Sequence, residues 1–111
     1  MKPALLALTM TAALLALIVL AAGAQPADHA ALVARGQQLF SAQGCYGCHL
    51  VGRFGTPIGP DLSHVGGKYP EEYLGRWLRD PATQRPGAHM PKLELDPSEV
   101  RALAAWLATL K

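Results

Sequence analysis

The stretch Cys45-Tyr46-Gly47-Cys48-His49 organises the chain around a single chemical site. It has the C-x-x-C-H spacing that attaches a c-type haem. Two thiols three positions apart can form thioethers with the two vinyl groups on one edge of the haem. The next residue, His49, then supplies an imidazole ligand to the iron. Cys45 and Cys48 are the only cysteines in the chain, so no thiol remains for a disulfide with another residue.

Three other chemistries use a C-x-x-C pair, and the sequence disfavours each of them. A tetrahedral zinc site takes four ligands, usually from a second Cys or His pair at ligand spacing, and the chain has no such pair. A thioredoxin-like redox motif belongs in a βαβ context, but no alternating strand pattern is present. A disulfide across two residues is strained and uncommon. The motif therefore predicts one covalently attached haem c with its iron.

The first 24 residues have the composition of an export signal. A largely apolar run from Ala4 to Ala22 follows Lys2 and ends at Ala22-Gly23-Ala24, an A-x-A-like cleavage site. We expect residues 1–24 to be a signal peptide and residues 25–111 to be the haem domain. The run is also about as long as a membrane span, so an uncleaved anchor over residues 4–22 is the alternative. Either outcome predicts a periplasmic domain, or one on the extracytoplasmic face of the bacterial inner membrane.

Length and charge limit the function further. The chain of 111 residues is long enough for one domain, whose small core would gain apolar contact from a bound haem. Its formal net charge is +2, and the charges are scattered rather than clustered. Nucleic-acid binding is therefore not expected.

The first predicted helix ends just before the C-x-x-C-H motif. It begins at Asp28, a possible N-cap, and its apolar stripe runs through Leu32, Gly36 and Phe40. Gly36 lowers stability in the middle of a helix, so we expect another helix to pack closely against it. The pair Gln43-Gly44 stops the helix and places the haem at its C-terminal end.

Two more helices complete an all-α prediction. A loop over residues 50–67, rich in glycine and proline and without a strand pattern, comes first. The second helix begins at Pro70 and is ended by Pro81, after which the chain is irregular. The third helix starts at Asp96-Pro97-Ser98-Glu99, which supplies an N-cap, a proline at the first position and a glutamate at the third.

Met90 is the predicted second axial ligand of the iron. It is the only methionine outside the N-terminal segment, and it lies in the helix-free loop Pro86-Gly87-Ala88-His89-Met90-Pro91. A thioether opposite a histidine raises the reduction potential, because it favours ferrous iron. The alternatives are that Met90 only fills the core, or that His29, His64 or His89 takes the position.

Together these features resemble the class I c-type cytochromes over about residues 28–110. The landmarks follow the order of that family: Gly36-x-x-x-Phe40, C-x-x-C-H, Gly59-Pro60-Asp61-Leu62, Tyr73-Leu74, Asp80-Pro81, Pro86-Gly87, Met90-Pro91 and Trp106-Leu107. The resemblance implies a small cytochrome c fold, in which three main helices and Gly/Pro-rich loops wrap around one covalently bound haem.

The resemblance also implies roles for individual residues. Pro60 corresponds to the proline whose carbonyl accepts a hydrogen bond from the proximal histidine, here His49. Trp77 corresponds to an aromatic residue that lines the haem pocket near the methionine, and Lys68 to a basic residue that pairs with a haem propionate. Gly36 corresponds to the point where the first helix crosses the last.

Two departures from the mitochondrial-type pattern predict a more open propionate edge. The long loop that covers this edge is missing between Lys68 and the second helix, and Ala88 replaces a propionate-bonding hydroxyl. The motifs are most similar to short bacterial cytochromes. They are also similar to cytochrome modules of haem-copper oxidases, nitric oxide reductases and sulfur-oxidising complexes.

The function that the resemblance implies is one-electron transfer between respiratory membrane complexes, by an iron that cycles between Fe(III) and Fe(II). The domain is expected to be a carrier without catalytic residues of its own. The alternative is a membrane-anchored cytochrome c subunit of a terminal oxidase, a nitric oxide reductase or a sulfur-oxidising complex. A ligand-binding haem protein needs an open sixth position, against which Met90 argues.

Overall fold

Five helices and one short β-hairpin make up the computed structural model, which describes residues 25–111. The elements are α1 (Gln25–Ala42), a 3-10 turn (Cys45–Gly47), β1 (Leu50–Val51), β2 (Phe54–Gly55), α2 (Val65–Lys68), α3 (Glu71–Arg79), α4 (Pro81–Gln84) and α5 (Pro97–Ala108). The predicted helical fold with three main helices is confirmed. The signal or anchor segment predicted over residues 1–24 lies outside the described residues. Within residues 25–111, no helix has the length and apolar character needed to cross a membrane.

Helix α1 begins earlier than the sequence predicted. Its first residue is Gln25, so Asp28 lies inside the first turn instead of serving as the N-cap. An acidic side chain is favourable in that turn, because the amino end of a helix carries a partial positive charge. The helix ends where Gly44 takes a left-handed conformation with a φ of +76°, and the 3-10 turn that carries the motif follows directly.

The loop predicted over residues 50–67 contains a hairpin and a helical turn that the sequence did not indicate. Leu50 pairs with Gly55 and Val51 with Phe54 in an antiparallel register. Gly52, with a φ of +62°, permits the tight connection between the strands. Strands of two residues and the single turn α2 are too short to produce a periodic pattern, which is the reason both were missed.

The stretch after α3 is also more ordered than predicted. Pro81 begins α4 instead of leading into irregular chain, and Asp80 caps this helix by accepting a hydrogen bond from the backbone N–H of Ala82 at 3.2 Å. Proline suits this place because the first residue of a helix has no intrahelical partner for its N–H. The helical turn brings the chain back towards the loop that carries Met90.

Helix α5 starts with the capping arrangement that the sequence predicts. The Asp96 carboxylate accepts hydrogen bonds from the backbone N–H groups of Ser98 and Glu99, at 2.7 and 2.9 Å. The Glu99 carboxylate accepts one from the N–H of Asp96 at 2.9 Å. A hydrogen bond from the Ser98 hydroxyl is the largest of the effects that lower the pKa of Asp96.

Helix α5 is the centre of the core, and α1 crosses it closely. A Cβ atom on Gly36 would collide with the carbonyl oxygen of Ala102 and lie 2.7 Å from the Cβ of Trp106. Glycine therefore lets the two backbones meet. Beside this crossing, the ring of Phe40 lies 4.9 Å from that of Trp106 and 4.7 Å from that of Tyr46. This contact ties the core to the C-x-x-C-H motif.

Candidate haem site

A cavity of about 580 Å³ brings together all of the predicted site residues. They are Cys45, Cys48, His49, Pro60, Lys68, Trp77 and Met90. Apolar core residues, among them Phe40, Leu74 and Leu103, form its inner wall. The volume lies within the range of pockets that hold cofactors and drug-sized ligands.

The two thiols lie at the start of the cavity wall, on the turn that follows α1. Cys45 is half-buried and Cys48 is exposed. The backbone N–H groups of Cys48 and His49 both donate to the carbonyl of Cys45, at 3.2 and 3.0 Å, which makes the motif a compact turn. Burial raises the pKa of the Cys45 thiol, and the neighbouring Cys48 adds to the increase.

The His49 ring is held in a defined orientation. Its Nδ1 lies 2.7 Å from the carbonyl oxygen of Pro60. Because a carbonyl can only accept, Nδ1 carries the proton and Nε2 keeps its lone pair for a metal. Gly59 makes room for this arrangement, since a Cβ there would lie 2.8 Å from Cε1 of the ring.

Met90 follows a tight turn that fixes its backbone. The N–H of Ala88 donates to the carbonyl of Arg85 at 3.1 Å, and Gly87 has a φ of +84° after Pro86. A proline followed by a glycine with positive φ is the arrangement of a type II turn. The half-buried thioether of Met90 accepts a hydrogen bond from the indole N–H of Trp77 at 3.2 Å.

The three histidines that are alternatives to Met90 differ in their positions relative to the cavity. His64 directs its Nδ1 to the carbonyl oxygen of Lys111 at 2.7 Å, and it is not among the residues of 25–111 that line the cavity. His29 is an exposed residue of α1. His89 does line the cavity, next to Met90. Of the three histidines, His89 is therefore the one that competes with Met90 on position.

A row of aromatic side chains forms another part of the wall. The rings of Tyr69 and Tyr73 are stacked with their centroids 4.7 Å apart, and Tyr73 lies 6.5 Å from Trp77. Tyr73 and Trp77 lie four positions apart on one face of α3. Tyr69 has an extended backbone before this helix, and its ring stacks on that of Tyr73. Flat apolar walls, two adjacent thiols, an oriented imidazole and a thioether together fit a covalently attached haem.

Comparison with known families agrees with this chemistry. The family model described as "Cytochrome c" matches residues 33–111. The chain belongs to the cytochrome c family. Membership confirms the predicted class of c-type cytochrome and the haem c with iron that the family carries.

Two bacterial proteins are similar to this chain. Cytochrome c oxidase subunit 2 of Alkalihalophilus pseudofirmus is 36% identical over 89 residues, which are 72% of this chain and 26% of that protein. Cytochrome c-551 of Bacillus subtilis is 33% identical over 81 residues, which are 73% of this chain and 66% of that protein. The chain thus spans about a quarter of the first relative and just under two thirds of the second.

Reasoning from the sequence did not assign Gly59, Tyr69, Tyr73 or Arg85, among other residues of the cavity wall, to the site. The spacing of Tyr73 and Trp77 carried a detectable signal, because residues four positions apart share a helix face. Gly59 and Tyr73 were noticed only as parts of landmarks. Arg85 carried no signal, since an arginine in a polar loop is usually solvated.

Proposed function

We propose that this cytochrome is a one-electron carrier whose haem is attached through Cys45 and Cys48 and whose iron is ligated by His49 and Met90. The main support is that the imidazole and the thioether line one cavity and that each is held by its own hydrogen-bond partner, the Pro60 carbonyl and the Trp77 indole. The bound haem supplies a one-electron couple between Fe(III) and Fe(II).

The residues around the ligands adjust that couple. The Pro60 carbonyl accepts a hydrogen bond from the Nδ1–H of His49, which makes Nε2 a more basic ligand for the iron. The thioether of Met90 favours the reduced state, and the indole N–H of Trp77 strengthens this by withdrawing electron density from the sulfur. Two protein ligands leave no position for a substrate, which suits a carrier.

Electron exchange takes place where the attachment site meets solvent. Cys48 is exposed, and Ile58, which also lines the cavity, has 75% of its surface exposed. An apolar residue beside the attachment edge favours brief docking of a redox partner, which buries little surface and is weak. We propose respiratory membrane complexes as partners, a location outside the cytoplasm and cleavage of residues 1–24.

A second candidate is a fixed subunit anchored by residues 4–22. The similarity to an oxidase subunit 2 favours it. Intact mass of the protein from its native host, after separation of soluble and membrane fractions, distinguishes the two. A soluble species that starts at Gln25 with one haem supports the mobile carrier. A membrane species that starts near Met1 with one haem supports the anchored subunit, and a chain without haem contradicts both.

Cys48→Ser tests the attachment. This variant can form only the Cys45 thioether, so one vinyl group of the haem should stay unsaturated and the α-band of the pyridine haemochrome should shift to longer wavelength. Gly47→Ala is the matched control, since a Cβ at Gly47 meets no atom within 4 Å. Its α-band should match that of the wild type. An unshifted α-band in Cys48→Ser would show that the thioether role is wrong.

A further inference from the structure

The charges that line the cavity are all of one sign. Among the lining residues within 25–111, Lys68 and Arg85 carry fixed positive charges and none is Asp or Glu. Neither cation is paired with a carboxylate, since the ion pair found in the described part of the chain joins Arg76 and Glu72. Both side chains are exposed as well as lining the cavity, so they lie where its wall meets solvent and are free to meet an anionic group of the cofactor.

The backbone of Arg85 is fixed on both sides. Its N–H donates to the carbonyl of Pro81 at 3.0 Å, which closes α4. Its carbonyl accepts the 3.1 Å hydrogen bond from Ala88 that closes the turn before Met90. The arginine therefore stands at one end of a rigid turn and Met90 follows the other end, so both positions are set by the same short segment.

We infer that Arg85 binds a propionate carboxylate of the haem. A haem carries two propionates, and two unpaired cations line this cavity, so Lys68 remains for the other. The planar guanidinium can give a carboxylate two parallel N–H donors, which a lysine cannot do. Arg85 thus supplies hydrogen-bond donors to the propionate at a place where Ala88 has no hydroxyl to donate. The inference rests on the proposed attachment of haem at Cys45 and Cys48.

Binding by Arg85 has a measurable consequence for the redox couple. The guanidinium lowers the pKa of its propionate, because an opposite charge nearby favours the ionised form. It also offsets the negative charge that would otherwise stabilise Fe(III). The other titratable groups on the cavity wall are Lys68, His49, His89, Tyr69, Tyr73 and the two thiols. All of these are unchanged in the variants below.

The test is the reduction potential of the haem-loaded protein between pH 5 and pH 9, for wild type and three variants. In Arg85→Gln the potential at pH 7 should fall by about 59 mV, which is a tenfold change for a one-electron couple. The pH at which the potential begins to fall should increase by about one unit, because the pKa of the propionate rises. Arg85→Lys should restore most of the potential, since it keeps the charge.

Arg79→Gln is the matched control. It removes the same charge from an exposed residue of α3 that lines a different groove, beside Arg101 and Ala104. It should leave the pH profile unchanged. If the haem stays attached and the reduction potential shifts equally in Arg85→Gln and Arg79→Gln, or in neither, the inference is overturned. If Arg85→Gln does not fold, Arg85→Lys is the remaining test: an unaltered propionate band in its redox-difference infrared spectrum also overturns the inference, because a lysine cannot give a carboxylate two parallel donors. Absence of haem from the wild type would overturn the proposed function as well.

Discussion

Met90→Ala should leave the haem covalently attached but open the sixth position of the iron. The variant retains both cysteines and the His49–Pro60 hydrogen bond, so attachment and the proximal side are unaffected. Loss of the thioether removes the ligand that favours Fe(II). The reduction potential should fall by more than about 59 mV, which corresponds to a tenfold change in the equilibrium constant of a one-electron couple. The absorption spectrum should become high-spin, and added imidazole or cyanide should bind.

Trp77→Phe is the graded comparison for that variant. It keeps an aromatic ring in the wall but removes the N–H that donates to the Met90 sulfur at 3.2 Å. The iron should stay low-spin and the potential should fall by less than in Met90→Ala. A low-spin spectrum and a native potential in Met90→Ala would mean that the ligand is another residue. His89→Ala would then identify whether the neighbouring histidine occupies the position.

Gly36→Ala should destabilise the fold. The new Cβ would meet the backbone carbonyl of Ala102, which cannot rotate away as a side chain can. Helix α1 must then move off α5 and weaken the contact between Phe40 and Trp106. Overpacking of this kind costs about 1–3 kcal/mol or more, out of a total of roughly 5–15 kcal/mol for a small domain.

Gly67→Ala is the control for this loss of stability. Gly67 also lies in a helix, its φ is not positive, and a Cβ there meets no atom within 4 Å. This variant should be neutral or more stable by about 0.4–1 kcal/mol, because alanine restricts the unfolded chain. Denaturant unfolding of the haem-loaded proteins measures both. Equal unfolding free energies for Gly36→Ala and wild type would show that α1 does not need close approach to α5.

The long helices and the start of α5 followed from the sequence because the signals are local. Asp96 and Glu99 lie three positions apart and cap the same turn, and a stripe of apolar residues marks one helix face without any knowledge of the partner. Helix α4 and the hairpin did not follow. Elements of two to four residues carry no period, and their hydrogen bonds depend on the packed chain around them.

The C-x-x-C-H motif by itself determined the kind of cofactor, because covalent attachment needs only thiols at one spacing and an adjacent imidazole. The sequence also predicts Met90 as the second iron ligand, since no other methionine lies outside the first 24 residues. The family resemblance placed Pro60 and Trp77 near the two ligands, but only the tertiary structure decided the contacts themselves. Gly59 against the His49 ring, the hydrogen bond from the Trp77 indole to the Met90 sulfur and the place of Arg85 on the cavity wall are set by how separate elements pack. Such contacts depend on how the backbone folds back on itself, and no local pattern records that.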